Sequence, residues 1–233
     1  MKQYTYLLIN FFSILIPFLF SFERRIFFFK KMRALLPALI ITGAFFIIWD
    51  HLMTVWNVWG FNREYLIGYY LWDLPIEEWL FFFTIPYSCV FIYESLNFLI
   101  KKDRLLKYSK NISGTLSVIL MIVVLFNTEK LYTAIKLTLT VFMLVYVLIE
   151  NFDFMGKFYR AYFVSLIPFF IVNGILTALP VVTYNDSENL GIRIGTIPVE
   201  DTVYTLLLLL MNICLYEYFK NRLKKDVKPQ STY

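Results

Sequence analysis

Pro75-Ile76-Glu77-Glu78 heads a long apolar run, Trp79 to Ile100, and the pattern returns 123 residues later as Pro198-Val199-Glu200-Asp201. At that offset Tyr93-Glu94 is answered by Tyr216-Glu217, Gly68 by Gly191 and Thr54 by Thr177, while Asp50 becomes Asn173. One shifted match carries no information, but a set at a single offset marks an internal repeat. Thr54 to Pro75 and Thr177 to Pro198 have the same separation, so the loop before each acidic motif belongs to the repeated unit.

The composition decides what such a unit is built for. The chain has 233 residues, 59% of them hydrophobic, 20% aromatic and only 17% charged, with a mean hydropathy of +0.64. So few charges cannot cover so much apolar surface in water, which makes this an integral membrane protein. The net charge of +5 is carried in short basic clusters between apolar runs rather than on one stripe, which argues against nucleic acid. Cys89 and Cys214 each sit inside an apolar run and give neither a disulfide framework nor a CxxC site. The N-terminal run, Tyr4 to Phe22, is long and aromatic and ends in Glu23-Arg24-Arg25 without a small-residue cleavage site, so it reads as a retained span.

Crossing a hydrocarbon core takes about 20 helical residues, or about 17 at the short end. Seven segments qualify: Tyr4 to Phe22, Leu35 to Met53, Ile76 to Ile100, Ile112 to Asn127, Leu131 to Ile149, Ala161 to Leu179 and Val199 to Phe219. The third is long enough to tilt, or to kink at Pro86. Alternating ends of these segments hold 17 Lys and Arg on one side and four on the other, with Lys136 left inside the fifth segment. By the positive-inside rule the N-terminus is outside and the C-terminus cytoplasmic, most simply in a bacterial inner membrane.

Three-helix units joined directly would lie inverted, and the extra fourth segment lets helices one to three and five to seven run in the same sense. The expected fold is therefore all-α: a seven-helix membrane bundle made of two parallel three-helix repeats joined by an extra helix. It forms one membrane domain, 1–219, with repeat one at 1–100, a linker helix at 112–127 and repeat two at 131–219. A basic, disordered cytoplasmic tail is expected at 220–233.

Acids after a proline also stabilise a helix N-terminus, which is the bland reading of Glu77, Glu78, Glu200 and Asp201. Their repetition at the head of membrane spans favours function, because an ionisable side chain at such depth is costly. Successive helix residues diverge by about 100°, so one of each pair faces the bundle. Asp50 ends helix two near the level of Glu77 and Glu78, as Asn173 does near Glu200 and Asp201. Close acids in an apolar site cannot all ionise, and the cluster therefore offers a general acid near neutral pH. Glu94 and Glu217 lie about 24 to 26 Å along the helix from these groups and read as partners of basic or polar groups at the other end.

Trp49, Trp79 and their aromatic neighbours suit an interface belt, and those near the acids offer π faces to a cation. His51 is the only histidine and too little for a metal site. There is no GxGxxG, no histidine cluster, no lysine in the last span for a retinal Schiff base, and no aspartate-rich magnesium pair. Proton chemistry inside an apolar bundle remains.

Trp49-Asp50 and Pro75-Ile76-Glu77-Glu78, answered by Asn173-Gly174-Ile175-Leu176-Thr177 and Pro198-Val199-Glu200-Asp201, resemble the lycopene cyclase domain family, small membrane cyclases that occur as heterodimers or fused chains. The resemblance covers essentially the whole chain. It implies conversion of lycopene through one-ring γ-carotene to β-carotene, with no cofactor and no metal. It further implies Glu77 or Glu78 as acid, with Glu200, Asp201 and Asp50 as base or electrostatic partners, and Asn173, Trp49 and Trp79 at the substrate. The partners implied are lycopene, other carotenoids, membrane lipid and, as candidates, other carotenoid-pathway enzymes. A proton-coupled membrane transporter and a cyclase for another carotenoid are the alternatives, since both also fit repeats and intramembrane acids.

Overall fold

A backbone can cross hydrocarbon only when its polar groups pair internally, and the apolar runs achieve this as helices. The computed structural model describes residues 2–227. Its helices are α1 (Thr5–Phe20), α2 (Met32–Val55), α3 (Ile76–Leu99), α4 (Leu106–Leu125), α5 (Leu131–Glu150), α6 (Met155–Ala178) and α7 (Glu200–Val227). All seven segments are long and apolar enough to cross a membrane, so the all-α bundle expected from the sequence is the one observed.

The boundaries differ from expectation where polar residues extend a helix. α4 begins at Leu106 rather than Ile112, because Asp103 Oδ1 accepts the N–H groups of Leu105 (3.1 Å) and Leu106 (3.2 Å) and supplies a cap ahead of the polar turn Lys107 to Lys110. Gly156, in the first turn of α6, allows Asp103 this approach, since a Cβ there would collide with its carboxylate. α6 starts at Met155 rather than Ala161, and α3 continues through Pro86. α7 runs to Val227, so the first part of the tail expected to be disordered is helical; residues 228–233 of that tail lie outside the described residues.

α3 and α7 form the centre: α1 packs on α3, α5 on α7, and α2 and α6 each touch both, while α4 packs against α5 and α6. Leu35, Val90, Leu144, Phe158 and Leu210 are fully buried between them. Outward-facing Ile48, Phe126, Phe142 and Ile149 are exposed, as lipid-facing side chains are. Lipid is as apolar as these side chains, so close packing and polar contacts hold such helices together rather than the hydrophobic effect.

The segments before α3 and α7 meet at one end. β1 (Trp59–Phe61) pairs antiparallel with β4 (Val182–Tyr184) in the register Trp59↔Tyr184, Gly60↔Thr183, Phe61↔Val182. Each strand is the other displaced by 123 residues, so the pairing maps onto itself when the two are exchanged, as at an interface with two-fold symmetry. The hairpin β2 (Tyr70–Leu71) with β3 (Leu74–Pro75) is matched at that offset by β5 (Arg193–Ile194) with β6 (Ile197–Pro198). Ile76 N–H donates to Tyr69 O and Val199 N–H to Ile192 O, both at 2.9 Å.

At the far ends of α3 and α7, Tyr93 donates to Glu217 (2.9 Å) and Tyr216 to Glu94 (2.7 Å). Lys31 and Lys220 add ion pairs to Glu94 at 2.5 and 2.8 Å, and Lys220 also reaches Glu217 at 2.8 Å. Glu94 and Glu217 thus have the basic and polar partners expected of them.

Candidate active site

The hairpins leave α3 and α7 starting directly after Pro75 and Val199, which puts two acids in each first turn. The members of each pair point different ways. Glu77 Oε1 accepts Ile67 N–H at 2.7 Å, and Glu200 Oε1 accepts Leu190 N–H at 2.7 Å, so both are turned back into their own loops. Thr133 Oγ1 adds a bond to Glu200 Oε1 at 2.8 Å. In both glutamates Oε2 is buried without a partner. Glu78 and Asp201 face inward instead, onto a cavity of about 760 Å³ between the two sets of helices. That size lies in the range of small-molecule sites, roughly 300–1,000 Å³.

The cavity walls are mostly apolar, with Ile9, Phe12, Phe81, Phe169 and Leu208 among them. Leu8, Phe12 and Ile16 of α1 and Ile171 and Ile175 of α6 line it and are also exposed, so it reaches the outer surface between those helices. Between α2 and α5, the counterparts of α6 and α1, Trp49 and Met53 pack against Trp59 and Tyr132. Trp49 stands where, 123 residues on, Val172 lines the open cavity.

The three acids on the wall are partnered unequally. Glu78 accepts one hydrogen bond, from the Tyr6 hydroxyl. Asp201 accepts four: from the Tyr132 hydroxyl, from Tyr184 at 2.7 Å, from Asn173 Nδ2 at 3.0 Å and from Lys136 Nζ at 3.3 Å. Burial first, and then the Asp201 charge, hold the Tyr184 hydroxyl well above the usual tyrosine range, which keeps it a donor. Asp50 is 3% exposed, and its Oδ2 has no partner.

Of the residues singled out from the sequence, Glu78, Asp201, Asp50 and Asn173 are thus brought together on one wall. Glu77 and Glu200 lie behind it. Trp49 packs among Met53, Val58 and Tyr132, and Trp79 Nε1 donates to Leu71 O at 3.1 Å, so neither lines the cavity. The aromatic wall comes from Trp59 and Phe81, among the aromatics that the sequence offers to an interface belt or a cation, and from Tyr6, Tyr132, Tyr184 and Tyr204, which the sequence reading passed over. Lys136, noted in the sequence as a lysine left inside an apolar span, was given no role there. Among the described residues no three His, Cys, Asp or Glu side chains are grouped to hold a metal ion. His51 Nδ1 lies 2.8 Å from Trp72 O, in the turn of the β2–β3 hairpin.

The lycopene cyclase family model matches residues 3–96 and 129–219, most of the chain. The chain belongs to the lycopene cyclase family. The two matched stretches begin 126 residues apart and end 123 apart, and α4 falls between them. Side-chain contacts follow the same shift: Tyr6 and Tyr132, 126 apart, bond Glu78 and Asp201, 123 apart. No curated protein and no solved structure gives a significant match. Membership supports carotenoid cyclase activity in general, and this family member presents buried carboxylates on a largely apolar cavity.

Proposed function

We propose that this chain is a lycopene β-cyclase that closes the ends of lycopene in turn, through γ-carotene, by proton transfer without redox change. The observation that carries the reading is the unequal partnering of three buried carboxylates on one apolar wall. Glu78 and Asp50, unlike Asp201, lack the donors that would hold an anion, so they share the proton, and the reading assigns the delivered one to Glu78. Its O–H bond breaks as a C–H bond forms at the terminal double bond, leaving a tertiary cation. The π electrons of the next double bond close the ring and move the positive charge into it. Asp50, whose Oδ2 lone pairs are free, accepts the adjacent ring proton, and the C–H electrons become the ring double bond. Passing that proton from Asp50 to Glu78 restores the site, so the product is an isomer of the substrate.

Asp201 is the counter-charge. Four donors stabilise its anion and make it a poor base, which suits it to steady a passing cation. The aromatic faces of the wall assist, and apolar surroundings keep water from trapping the cation. Glu77 and Glu200 hold the loops that set Glu78 and Asp201 in place. Glu78, Asp50 and Asp201 share one cavity, so one site serves both ends, with the carotenoid released or turned between rings. In this reading the two halves are parallel repeats, and the acids lie near the outer face of the membrane, on the side poor in Lys and Arg.

The test is pigment chromatography of lycopene-accumulating cells expressing the chain or its Glu78→Gln, Asp50→Asn and Asp201→Asn variants. The expected result is β-carotene with the parent chain and a loss of about a hundredfold or more for Glu78→Gln. Unchanged lycopene with a correctly inserted parent chain, or full activity of Glu78→Gln, would overturn the assignment.

A further inference from the structure

Lys136 is completely buried in the second turn of the apolar helix α5, where an ammonium group is retained only against specific partners. Its Nζ donates to the Tyr132 hydroxyl, to Glu200 O at 3.2 Å and to Asp201 Oδ1 at 3.3 Å. It also lies over the Tyr132 ring, 3.6 Å from the centroid, and 4.7 Å from that of Tyr204. Asp201 lines the cavity and Lys136 does not, so the pair is a dipole with its negative end toward the substrate and its positive end behind.

The first half lacks this charge. Asn10 stands 126 residues before Lys136, at the separation that relates Tyr6 to Tyr132, and its Nδ2 donates to Glu77 O at 3.0 Å. That carbonyl is the counterpart of Glu200 O. The same backbone site just ahead of the cavity acid is therefore met by a neutral amide behind Glu78 and by an ammonium behind Asp201.

We propose that Lys136 is the positioning residue that sets the polarity of the site: it fixes Asp201 as the anion, while the neutral Asn10 leaves Glu78 able to carry the proton. The proposal rests on the proton-transfer reading above and goes beyond it by naming what makes two related acids unlike. Lys136 acts through Asp201 and touches no reacting atom. The other titratable groups facing the pair are Tyr132 on its own helix, Glu200 and Tyr204 on α7 and Tyr184 on β4, with Glu78, Asp50 and Tyr6 facing Asp201 from the cavity wall. None of them is a second cation. A neutral side chain at position 136 would leave the buried Asp201 carboxylate without its cationic partner.

The test is the initial rate of ring formation in isolated membranes supplied with lycopene, measured against pH for Lys136→Met and Lys136→Arg. Lys136→Met should lower the rate near neutral pH by about tenfold to a hundredfold and move the pH profile upward. Lys136→Arg should keep the parent pH profile. A Lys136→Met profile that is unshifted, or an arginine variant as defective as the methionine variant, would overturn the proposal. Should Lys136→Met fail to insert, the Lys136→Met/Asp201→Asn double variant decides: it should be no slower than Asp201→Asn alone, and additive losses would refute action through Asp201. The parallel Glu78→Gln variant separates the two readings, since an inactive Glu78→Gln beside an unshifted Lys136→Met removes only the role of Lys136.

Discussion

Glu77 Oε1 accepts the backbone N–H of Ile67 at 2.7 Å, and this bond takes one of two adjacent acids out of the cavity and into the loop above it. A hydrogen bond to a charged acceptor is worth about 1.5–3 kcal/mol. Glu77→Ala should therefore lower stability by about 2 kcal/mol, whereas Glu77→Gln, which keeps an acceptor oxygen, should recover most of it. Thermal unfolding in detergent measures the first effect and pigment analysis the second. Glu77→Gln should go on cyclising where Glu78→Gln stops. If the two variants are equally inactive, Glu77 belongs to the proton chemistry.

Asn173 occupies the position that corresponds to Asp50, and its Nδ2 donates to Asp201 Oδ2 at 3.0 Å. Asn173→Asp would match the two halves and exchange that donor for a carboxyl group. Two carboxylates at such a distance cannot both stay ionised without cost. The expected outcome is a fall in cyclisation of about tenfold or more near neutral pH with normal insertion, read by chromatography of the pigments. Unaltered turnover would show that the Asp50/Asn173 difference is not part of the mechanism.

The seven helices were legible because length and apolarity alone decide what can cross a membrane, and the acidic motif because it repeats at one offset. What stayed hidden followed from side-chain direction. Sequence spacing predicts that Glu77 and Glu78 diverge, yet only the loop that folds back to offer Ile67 N–H determines which one faces inward. Tyr6 and Tyr132 escaped because α1 and α5 follow a separation of 126 rather than 123, and an aromatic residue near a span end resembles any interface belt. Lys136 was visible as an anomaly, but its partner Asp201 is 65 residues away in the chain. The start of α4 was missed for a local reason: the cap from Asp103 precedes a polar turn that hydropathy reads as loop.

In the loop before α7, bonds from Asn189 first and then from Arg193 hold the Asp186 carboxyl below the usual carboxylate range. Arg193 Nη2 lies 2.5 Å from Asp186 Oδ1, with both side chains well exposed. A depressed carboxyl contributes stability above the unfolded value, about 3.9, and loses it as pH falls through the lower folded value. Solvent screening keeps the contribution small, below about 0.5 kcal/mol. Asp186→Asn should leave neutral-pH stability nearly unchanged and reduce only the loss seen under acidic conditions, as thermal unfolding at a series of pH values would register. A large destabilisation at neutral pH would mean that the pair does more than fix the loop.

Glu94 joins the two central helices at the end away from the cavity, accepting from Tyr216 of α7 at 2.7 Å and from Lys31 and Lys220 at 2.5 and 2.8 Å. Removing it would leave Lys31 unpaired and Lys220 with Glu217 alone, and because both lysines stay partly exposed the loss should be about 2–3 kcal/mol. Tyr93→Phe and Tyr216→Phe each remove one neutral donor from a carboxylate and should cost about 1 kcal/mol. Glu94→Ala should thus be less stable than either tyrosine variant, as measured by unfolding of the detergent-solubilised protein. Ring closure in the fraction that remains folded should continue, because about 24 Å of helix separates Glu94 from Glu78. Loss of cyclisation in a Glu94→Gln protein of unchanged stability would instead tie this end of the bundle to the chemistry at the other.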